Sequence, residues 1–254
     1  MNWTAIDIAI LGPAFLAGLL VISTHVPLGQ RVLARGIIFL DLAVAQFAGL
    51  GLIAAHSFQW EPNYWQVQLI ALSAALIGVL IMHETEKRWP EIQEALIGIM
   101  FVLASSGSIL LLSSNPHGGE QLKELLVGQI LWVSYQQLVP VAILYCFVLF
   151  LWFKFACKQS ALHFYLLFAF AITASVQLVG IYLVFASLIL PALATRLLKN
   201  NRLWWGYLIG IIGYFIGLLF AALLDLPAGA MVVYSLAISA MVVGYSIKLN
   251  CWAR

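Results

Sequence analysis

Apolar stretches long enough to cross a lipid bilayer follow one another along almost the whole chain, and this pattern limits the fold more than any other feature. A membrane-spanning helix needs about 17–25 mostly apolar residues. Only 9% of the residues are charged, against about 25% in soluble domains. We therefore predict an all-α, polytopic integral membrane protein with one transmembrane domain over residues 1–254. The predicted spans lie near residues 8–27, 37–56, 65–82, 95–113, 137–156, 203–224 and 229–247.

The stretch 161–195 is also apolar but is too long for one helix. Gln177 and Gly180 interrupt it, so we predict two shorter helices that turn between these residues. Transporters build ion sites from interrupted helices, because freed carbonyl groups and polar side chains then face a cavity. Gln177 and Ser187 are therefore candidate residues of a translocation path. The total is eight or nine transmembrane helices, depending on how this hairpin is counted, and nine is preferred.

The positions of the basic residues predict the orientation in the membrane. In the nine-helix arrangement, 11 of the 12 Lys and Arg residues fall on one side, and Lys123 falls on the other. Cytoplasmic loops carry an excess of Lys and Arg. We therefore expect a multi-pass protein with its N-terminus outside and its C-terminus in the cytoplasm. A single helix over 161–195 would place Arg196 and Arg202 outside, which also favours the hairpin.

The segment 114–136 is the longest one on the predicted outer side. Residues 122–134 are semi-apolar and too few to cross the bilayer. We therefore predict a short re-entrant or interfacial helix there, in addition to the transmembrane helices. His117, Glu120 and Glu124 would share a face if the helix began earlier, which makes His117 and Glu120 candidate metal ligands. The neighbouring Gly118–Gly119 pair favours a solvated loop at this point instead.

Asp41 has an apolar run on both sides inside the second predicted span. A charge at membrane depth costs about 2.5–3.5 kcal/mol on insertion scales and usually faces a cavity or a partner. Asp41 therefore lines a cation path, or it forms a structural ion pair with Arg31 or Arg35. Gln46 is a second candidate path residue, but it points about 140° away from Asp41 on an ideal helix. The two are not expected to bind one ion together.

Four glycines recur every three to four residues along one predicted span: Gly206, Gly210, Gly213 and Gly217. Small residues at this spacing let helix backbones approach closely. We expect this stripe to pack against other helices of the same chain in preference to forming a dimer seam.

Motifs of soluble enzymes are missing from the chain. It has no GxxxxGK[ST] loop for nucleotide phosphates, no HExxH zinc motif and no GxSxG nucleophile motif. We therefore expect a protein that is not an enzyme, that binds no cofactor of its own and that has no nucleic-acid partner.

Four segments are similar to motifs of one transporter family. His25–Arg31 (HVPLGQR) is similar to the end of its first span, and Gly36–Gly51, with Asp41, is similar to its second span. Val179–Arg196 is similar to its Val-Gly…Pro-Ala-x-x-Ala-Arg segment, and Leu224–Gly229 (LDLPAG) to the turn before its last span. The four segments follow one another in the family's order and are spread over nearly the whole chain. The chain therefore resembles the membrane permease of ABC-type importers for divalent metals.

Two positions depart from that family's pattern. The family places a His four residues after the second-span Asp, where this chain has Ala45, so a soft metal ligand is lost. The family's cytoplasmic element that docks the ATPase is reduced here to Phe155–Ser160. The coupling surface is then expected at 83–94 or 196–203 instead.

The resemblance implies a homodimeric permease in the bacterial cytoplasmic membrane, surrounded by membrane lipid. It implies a separate cytoplasmic ATPase that uses ATP and an extracytoplasmic binding protein that delivers the metal. The implied substrate is a divalent metal ion, with zinc placed before manganese and iron. Asp41, Gln46, Gln177 and Ser187 would line the path, and Asp41 would bind the metal. The alternatives are an ATP-independent secondary transporter or channel for a cation, and a membrane scaffold without transport.

Overall fold

The computed structural model of the protein describes residues 8–57, 64–113, 115–155, 160–198 and 200–252. Within these ranges the regular structure is helical and no strand occurs. The helices are α1 (Ile8–Arg35), α2 (Leu40–Ser57), α3 (Tyr64–Arg88), α4 (Gln93–Leu112), α5 (Gly118–Val127), α6 (Tyr135–Lys154), α7 (Ala161–Val179), α8 (Ile181–Ala194), α9 (Arg202–Leu224) and α10 (Ala228–Trp252). Short 3₁₀ turns at Pro90–Ile92 and Ile130–Trp132 precede α4 and α6.

Seven helices in the described ranges are long and apolar enough to cross a membrane, namely α1, α3, α4, α6, α7, α9 and α10. α2 and α8 are apolar but shorter. The 14 residues of α8 rise about 21 Å, less than the roughly 30 Å of a bilayer's hydrocarbon core. The predicted all-α, polytopic class is confirmed, and the predicted spans correspond to these seven long and two short helices.

The apolar stretch 161–195 forms two helices, as predicted. α7 ends at Val179, and α8 begins at Ile181 after a single linking residue, Gly180. Gly180 has φ +80° and ψ 164°. This backbone region is essentially restricted to glycine, so the residue type explains why the helix breaks at this point.

α1 is longer than the span 8–27 predicted for it and continues through Pro27 to Arg35. A proline inside a helix leaves the carbonyl four residues earlier without its backbone donor. That carbonyl belongs to Ser23, and the hydroxyl of Tyr207 on α9 donates to it at 3.1 Å. The tertiary contact therefore replaces the lost hydrogen bond, and the helix continues.

The glycine stripe of α9 packs within the chain, as expected. Gly206 and Gly210 face α1, and Gly213 and Gly217 face α10. A Cβ atom at Gly217 would lie 2.5 Å from the Cα of Val232, closer than side chains tolerate. These glycines let α9 approach two neighbours at backbone distance.

The short helix predicted near 122–134 lies earlier in the chain. α5 begins at Gly118, so the prediction of a solvated loop at Gly118–Gly119 is wrong. A Cβ at Gly118 would lie 2.6 Å from the carbonyl oxygen of Leu112, so this glycine allows α5 to fold back closely on the end of α4. α5 ends at Val127, and the next residue, Gly128, has φ +71° and ψ 175°, which are again favourable only for glycine.

The helix ends divide the bundle into two opposite ends. At the basic end, Arg35 lies 3.7 Å from Glu86 of α3 and 4.5 Å from the ring centre of Phe164 of α7. The described basic residues at this end are Arg31, Arg35, Lys87, Arg88, Lys154, Arg196, Arg202 and Lys248, and Lys158, Lys199 and Arg254 lie outside the described residues. The other end, called the distal end below, holds α5 with Lys123.

Candidate translocation path

Asp41 lies in the first turn of α2, and its side chain is 1% exposed. Neither carboxylate oxygen has a hydrogen-bond partner among the described residues. The dipole at the start of α2 favours the negative charge by about 0.3–1 kcal/mol. Burying an unpaired carboxylate costs several kcal/mol. The local backbone therefore compensates only part of the cost of this charge.

The arginines considered as partners of Asp41 do not pair with it. Arg35 pairs with Glu86 and lies over the ring of Phe164. Arg31 is exposed. The ion pair of the structural interpretation is thus absent from the described part of the chain, and the carboxyl group of Asp41 has no cationic partner there.

The face of α2 that carries Asp41 continues toward the distal end with small side chains. Ala45 and Ala48 lie within about 40° of Asp41 around the helix, and both are buried. Leu52, one turn further, lines a cavity at the distal end. Gln46 is 1% exposed and lies off this face, and its Oε1 has no hydrogen-bond partner among the described residues. A narrow strip of alanines therefore links Asp41 to the distal cavity.

The distal cavity has a volume of about 440 Å³ and lies between α2, α5 and α7. The predicted path residue Gln177 lines it together with Gln121, Glu124 and Gln129. Gln177 also accepts a hydrogen bond from the amide of Gln68 on α3. The structure thus places Gln177 in a polar mouth, immediately before the break between α7 and α8.

Ser187 is fully buried in α8 and takes part in hydrogen bonds that join helices. Its hydroxyl donates to the carbonyl of Leu183 at 2.7 Å and lies 2.8 Å from the hydroxyl of Tyr214 on α9. A similar pair, Tyr145 and Ser175 at 2.5 Å, joins α6 to α7. Ser187 does not line the distal cavity, and its role in the path stays a prediction.

His117 and Glu120 lie at the start of α5 with Nδ1 and Oε2 3.4 Å apart, and their side chains are 77% and 80% exposed. Neither lines the distal cavity. In the described ranges, no cluster of three or more His, Cys, Asp or Glu side chains could hold a metal ion. The two residues remain a predicted pair of ligands, at the opposite end of the bundle from Asp41.

Sequence reasoning grouped Glu124 with His117 and Glu120 and missed its neighbours in the cavity. The amide Nε2 of Gln129 donates to Oε1 of Glu124 at 2.7 Å. The available signal was the spacing of Gln121, Glu124 and Gly128 at 0, +3 and +7, which is typical of one helix face. The contact with Gln129 depends on the break at Gly128, which no helical period predicts.

These features define a multi-pass membrane transport protein: a helical bundle with a broken helix pair, a polar mouth, and a buried carboxylate that has no hydrogen-bond partner among the described residues. The model of the ABC 3 transport family matches residues 7–162 and 154–246, and the chain belongs to this family. The resemblance in the motif segments is confirmed by this match.

Two relatives carry the same description, "Probable metal transport system membrane protein". The one from Chlamydia trachomatis serovar D is 24% identical over 229 residues, 81% of this chain and 78% of the relative. The one from Chlamydia muridarum is 24% identical over 245 residues, 87% of this chain and 82% of the relative. The fold is similar to "PsaBC from Streptococcus pneumoniae in complex with Fab", with a TM-score of 0.77, 18% identity, and 98% and 100% of the two chains covered.

Proposed function

We propose that this chain is the transmembrane subunit of an ABC importer that moves a divalent metal ion across the bacterial cytoplasmic membrane, with a separate ATPase supplying the energy. Membership of the ABC 3 transport family supports the class of transporter. The descriptions of the two Chlamydia relatives support a metal as the substrate. Zinc is the first candidate and manganese and iron follow, as the resemblance implies. The whole chain is proposed to act as a single permease domain.

The observation that carries the proposal is the buried carboxylate of Asp41, which has no partner among the described residues. Ionisable groups inside a membrane bundle usually mark ion pathways, because their cost is otherwise uncompensated. A divalent cation beside Asp41 supplies the opposite charge that the surrounding protein lacks. Carboxylate oxygens bind zinc, manganese and iron alike. Ala45 and Ala48, on the same helix face, carry only methyl side chains.

The two ends of the bundle support a proposal for the orientation and the partners. The basic end faces the cytoplasm, in agreement with the excess of Lys and Arg there, and the N-terminus lies outside. The ATPase docks at the basic end, where Trp89 and Ile92 of the α3–α4 turn are each 47% exposed. The segment 196–203 is the second candidate for this contact. Two copies form a homodimer, and an extracytoplasmic binding protein delivers the metal to the distal end.

Replacing Asp41 by Asn tests this function, because the substitution keeps the size of the side chain and removes its charge. We expect uptake of radioactive Zn²⁺ or Mn²⁺ by cells that express the complete transporter to fall at least about tenfold, since tenfold corresponds to only 1.4 kcal/mol. Asp225→Asn is the matched control. Asp225 is exposed, lies at the distal end of α9 and has a left-handed backbone that Asn also tolerates. Its uptake should equal that of the unchanged protein.

Wild-type uptake by Asp41→Asn, at equal amounts of inserted protein, would remove Asp41 from the path.

The energy source is tested in cells that lack the ATPase subunit. Loss of uptake in these cells is expected. Uptake that persists there would identify an ATP-independent secondary transporter or channel instead.

A further inference from the structure

The distal cavity combines one carboxylate with several amide groups on three different segments. Glu124 and Gln121 come from α5, Gln129 from the turn that follows it, and Gln177 from the end of α7. These side chains line one cavity because α5 ends against the α7–α8 break. The backbones of Gly128 and Gly180 are in contact, and a Cβ atom on either glycine would overlap the backbone around the other.

The carboxylate of Glu124 is held in a defined position. Gln121, Glu124, Leu125 and Gly128 lie at 0, +3, +4 and +7 along α5, so one face of the helix points at the cavity. Gln129 donates to Oε1 of Glu124 at 2.7 Å, which orients the carboxylate. The second oxygen, Oε2, has no ion-pair or hydrogen-bond partner in the described ranges and can bind a ligand.

The donor atoms define the chemistry of the ligand. Carboxylate and amide oxygens suit Mg²⁺, Ca²⁺ and Mn²⁺, whereas imidazole and thiolate ligands select softer metals. No His or Cys stands among the described residues that line the cavity. A single negative charge also gives weak binding, because affinity in oxygen-ligand sites rises with the number of charged ligands. Weak binding suits a site that takes up an ion and releases it again.

An apolar contact separates the cavity from Asp41. A Cβ atom at Gly49 of α2 would lie 2.5 Å from Cδ2 of Leu125, so Leu125 rests directly on the α2 backbone. Leu52 at the cavity and Asp41 are separated by 11 positions (52 − 41), or about 16 Å along the helix. An ion bound beside Glu124 is therefore held before the closed section of the path.

We propose that Glu124, with the amide oxygens of Gln121, Gln129 and Gln177, forms a receiving site at the distal end for divalent cations that take oxygen ligands. This inference rests on the proposed transport function. It assigns the first contact of the ion to the cavity face of α5, and Asp41 acts later in the path.

The test measures the Mn²⁺ concentration that gives half-maximal uptake in cells expressing the complete transporter. Glu124→Gln should raise this concentration about tenfold, the scale of losing one supporting ligand at a metal site, and should leave the maximal rate within about twofold. Asp225→Asn is the control, because it removes one carboxylate charge from the same end of the bundle without touching the cavity. It should leave the half-maximal concentration unchanged.

The outcomes separate this proposal from the proposed function. If the unchanged protein takes up Mn²⁺, Asp41→Asn abolishes uptake and Glu124→Gln behaves like Asp225→Asn, the receiving site is refuted and the transport function stands. If the unchanged protein moves no divalent metal, the transport function itself fails. If Glu124→Gln reduces the amount of inserted protein, Gln121→Met replaces it as the test, because Gln121 lines the same side of the cavity. An unchanged half-maximal concentration in that variant also refutes the site.

Discussion

The two ends of the bundle are closed by different kinds of contact. At the distal end, the backbones of Gly128 and Gly180 meet, and Leu125 rests on Gly49. At the basic end, Arg35 pairs with Glu86 at 3.7 Å, and both side chains are largely buried. Apolar and backbone contacts separate without leaving an unpaired charge, whereas separating a largely buried ion pair leaves two poorly solvated charges. Separating the distal contacts therefore avoids the desolvation cost that separating the Arg35–Glu86 pair carries.

The two carboxylates of the proposed path, Asp41 and Glu124, differ in the same way. Glu124 is exposed in the distal cavity and is oriented by Gln129. Asp41 is buried near the basic end without a partner among the described residues. A well-solvated carboxylate binds a cation with little change in desolvation cost, so its loss affects affinity. A buried carboxylate offsets the free-energy cost of removing water from the ion. Loss of this carboxylate is therefore expected to stop the ion from passing.

The largest expected effect comes from breaking the distal contact with Gly128→Ala. Alanine disfavours the backbone region at φ +71° and ψ 175° by about 1–3 kcal/mol. Its Cβ would also overlap the carbonyl of Val179. We expect a total destabilisation of at least about 3 kcal/mol, seen as a lower Tm of the detergent-solubilised protein, together with loss of metal uptake.

Gly119→Ala is the matched control on the same helix. A Cβ at Gly119, in the first turn of α5, meets nothing within 4 Å, and alanine loses less conformational entropy than glycine on entering a helix, a gain of at most about 0.5–1 kcal/mol. The two substitutions should therefore move the Tm in opposite directions. Equal shifts would show that the contact between α5 and the α7–α8 break does not hold the distal end together.

The sequence predicted the parts of the fold that local chemistry determines. Apolar runs located the spans, and the length of the stretch 161–195 placed a break between Gln177 and Gly180. The structure has the break at Gly180, whose backbone region excludes other residues. The charge pattern grouped the basic residues at one end. Asp41 was identified from the cost of a charge at membrane depth alone, and its burial agrees with that argument.

The parts that depend on distant contacts were not predictable in this way. α5 starts at Gly118 because that glycine meets Leu112, and it stops at Gly128 because that residue meets Gly180, far away in the sequence. α1 continues past Pro27 because Tyr207 bonds the freed carbonyl of Ser23. None of these three contacts leaves a local pattern, so the contact of Glu124 with Gln129 beyond the break at Gly128 could not be derived from spacing alone.

An intermediate effect is expected at the basic end from Glu86→Gln. The side chains of Arg35 and Glu86 are 18% and 26% exposed. Removing one partner leaves Arg35 partly desolvated, which costs about 1–3 kcal/mol, between the values for surface and buried pairs. The contact of Arg35 with the Phe164 ring limits the loss. We expect Glu86→Gln to lower the Tm, but by less than Gly128→Ala does.

Glu84→Gln provides the comparison for this pair. Glu84 pairs with Lys87 and Arg88, but all three side chains are 51–63% exposed. Exposed pairs contribute about 0–1 kcal/mol, so the Tm should move less than in Glu86→Gln. If both variants have the same Tm, burial does not strengthen the Arg35–Glu86 contact, and the contrast between the two closures loses its basis.

The smallest effect is expected from His117→Ala at the distal end. His117 and Glu120 lie 3.4 Å apart, but both are more than three-quarters exposed, and such pairs contribute about 0.2–1 kcal/mol. If they bind the arriving cation, they do so weakly, and the Mn²⁺ concentration for half-maximal uptake should rise less than about threefold. A tenfold rise, equal to that expected for Glu124→Gln, would extend the receiving site from the cavity to the start of α5. The exposed rim of the distal end, and not its cavity alone, would then select the ion.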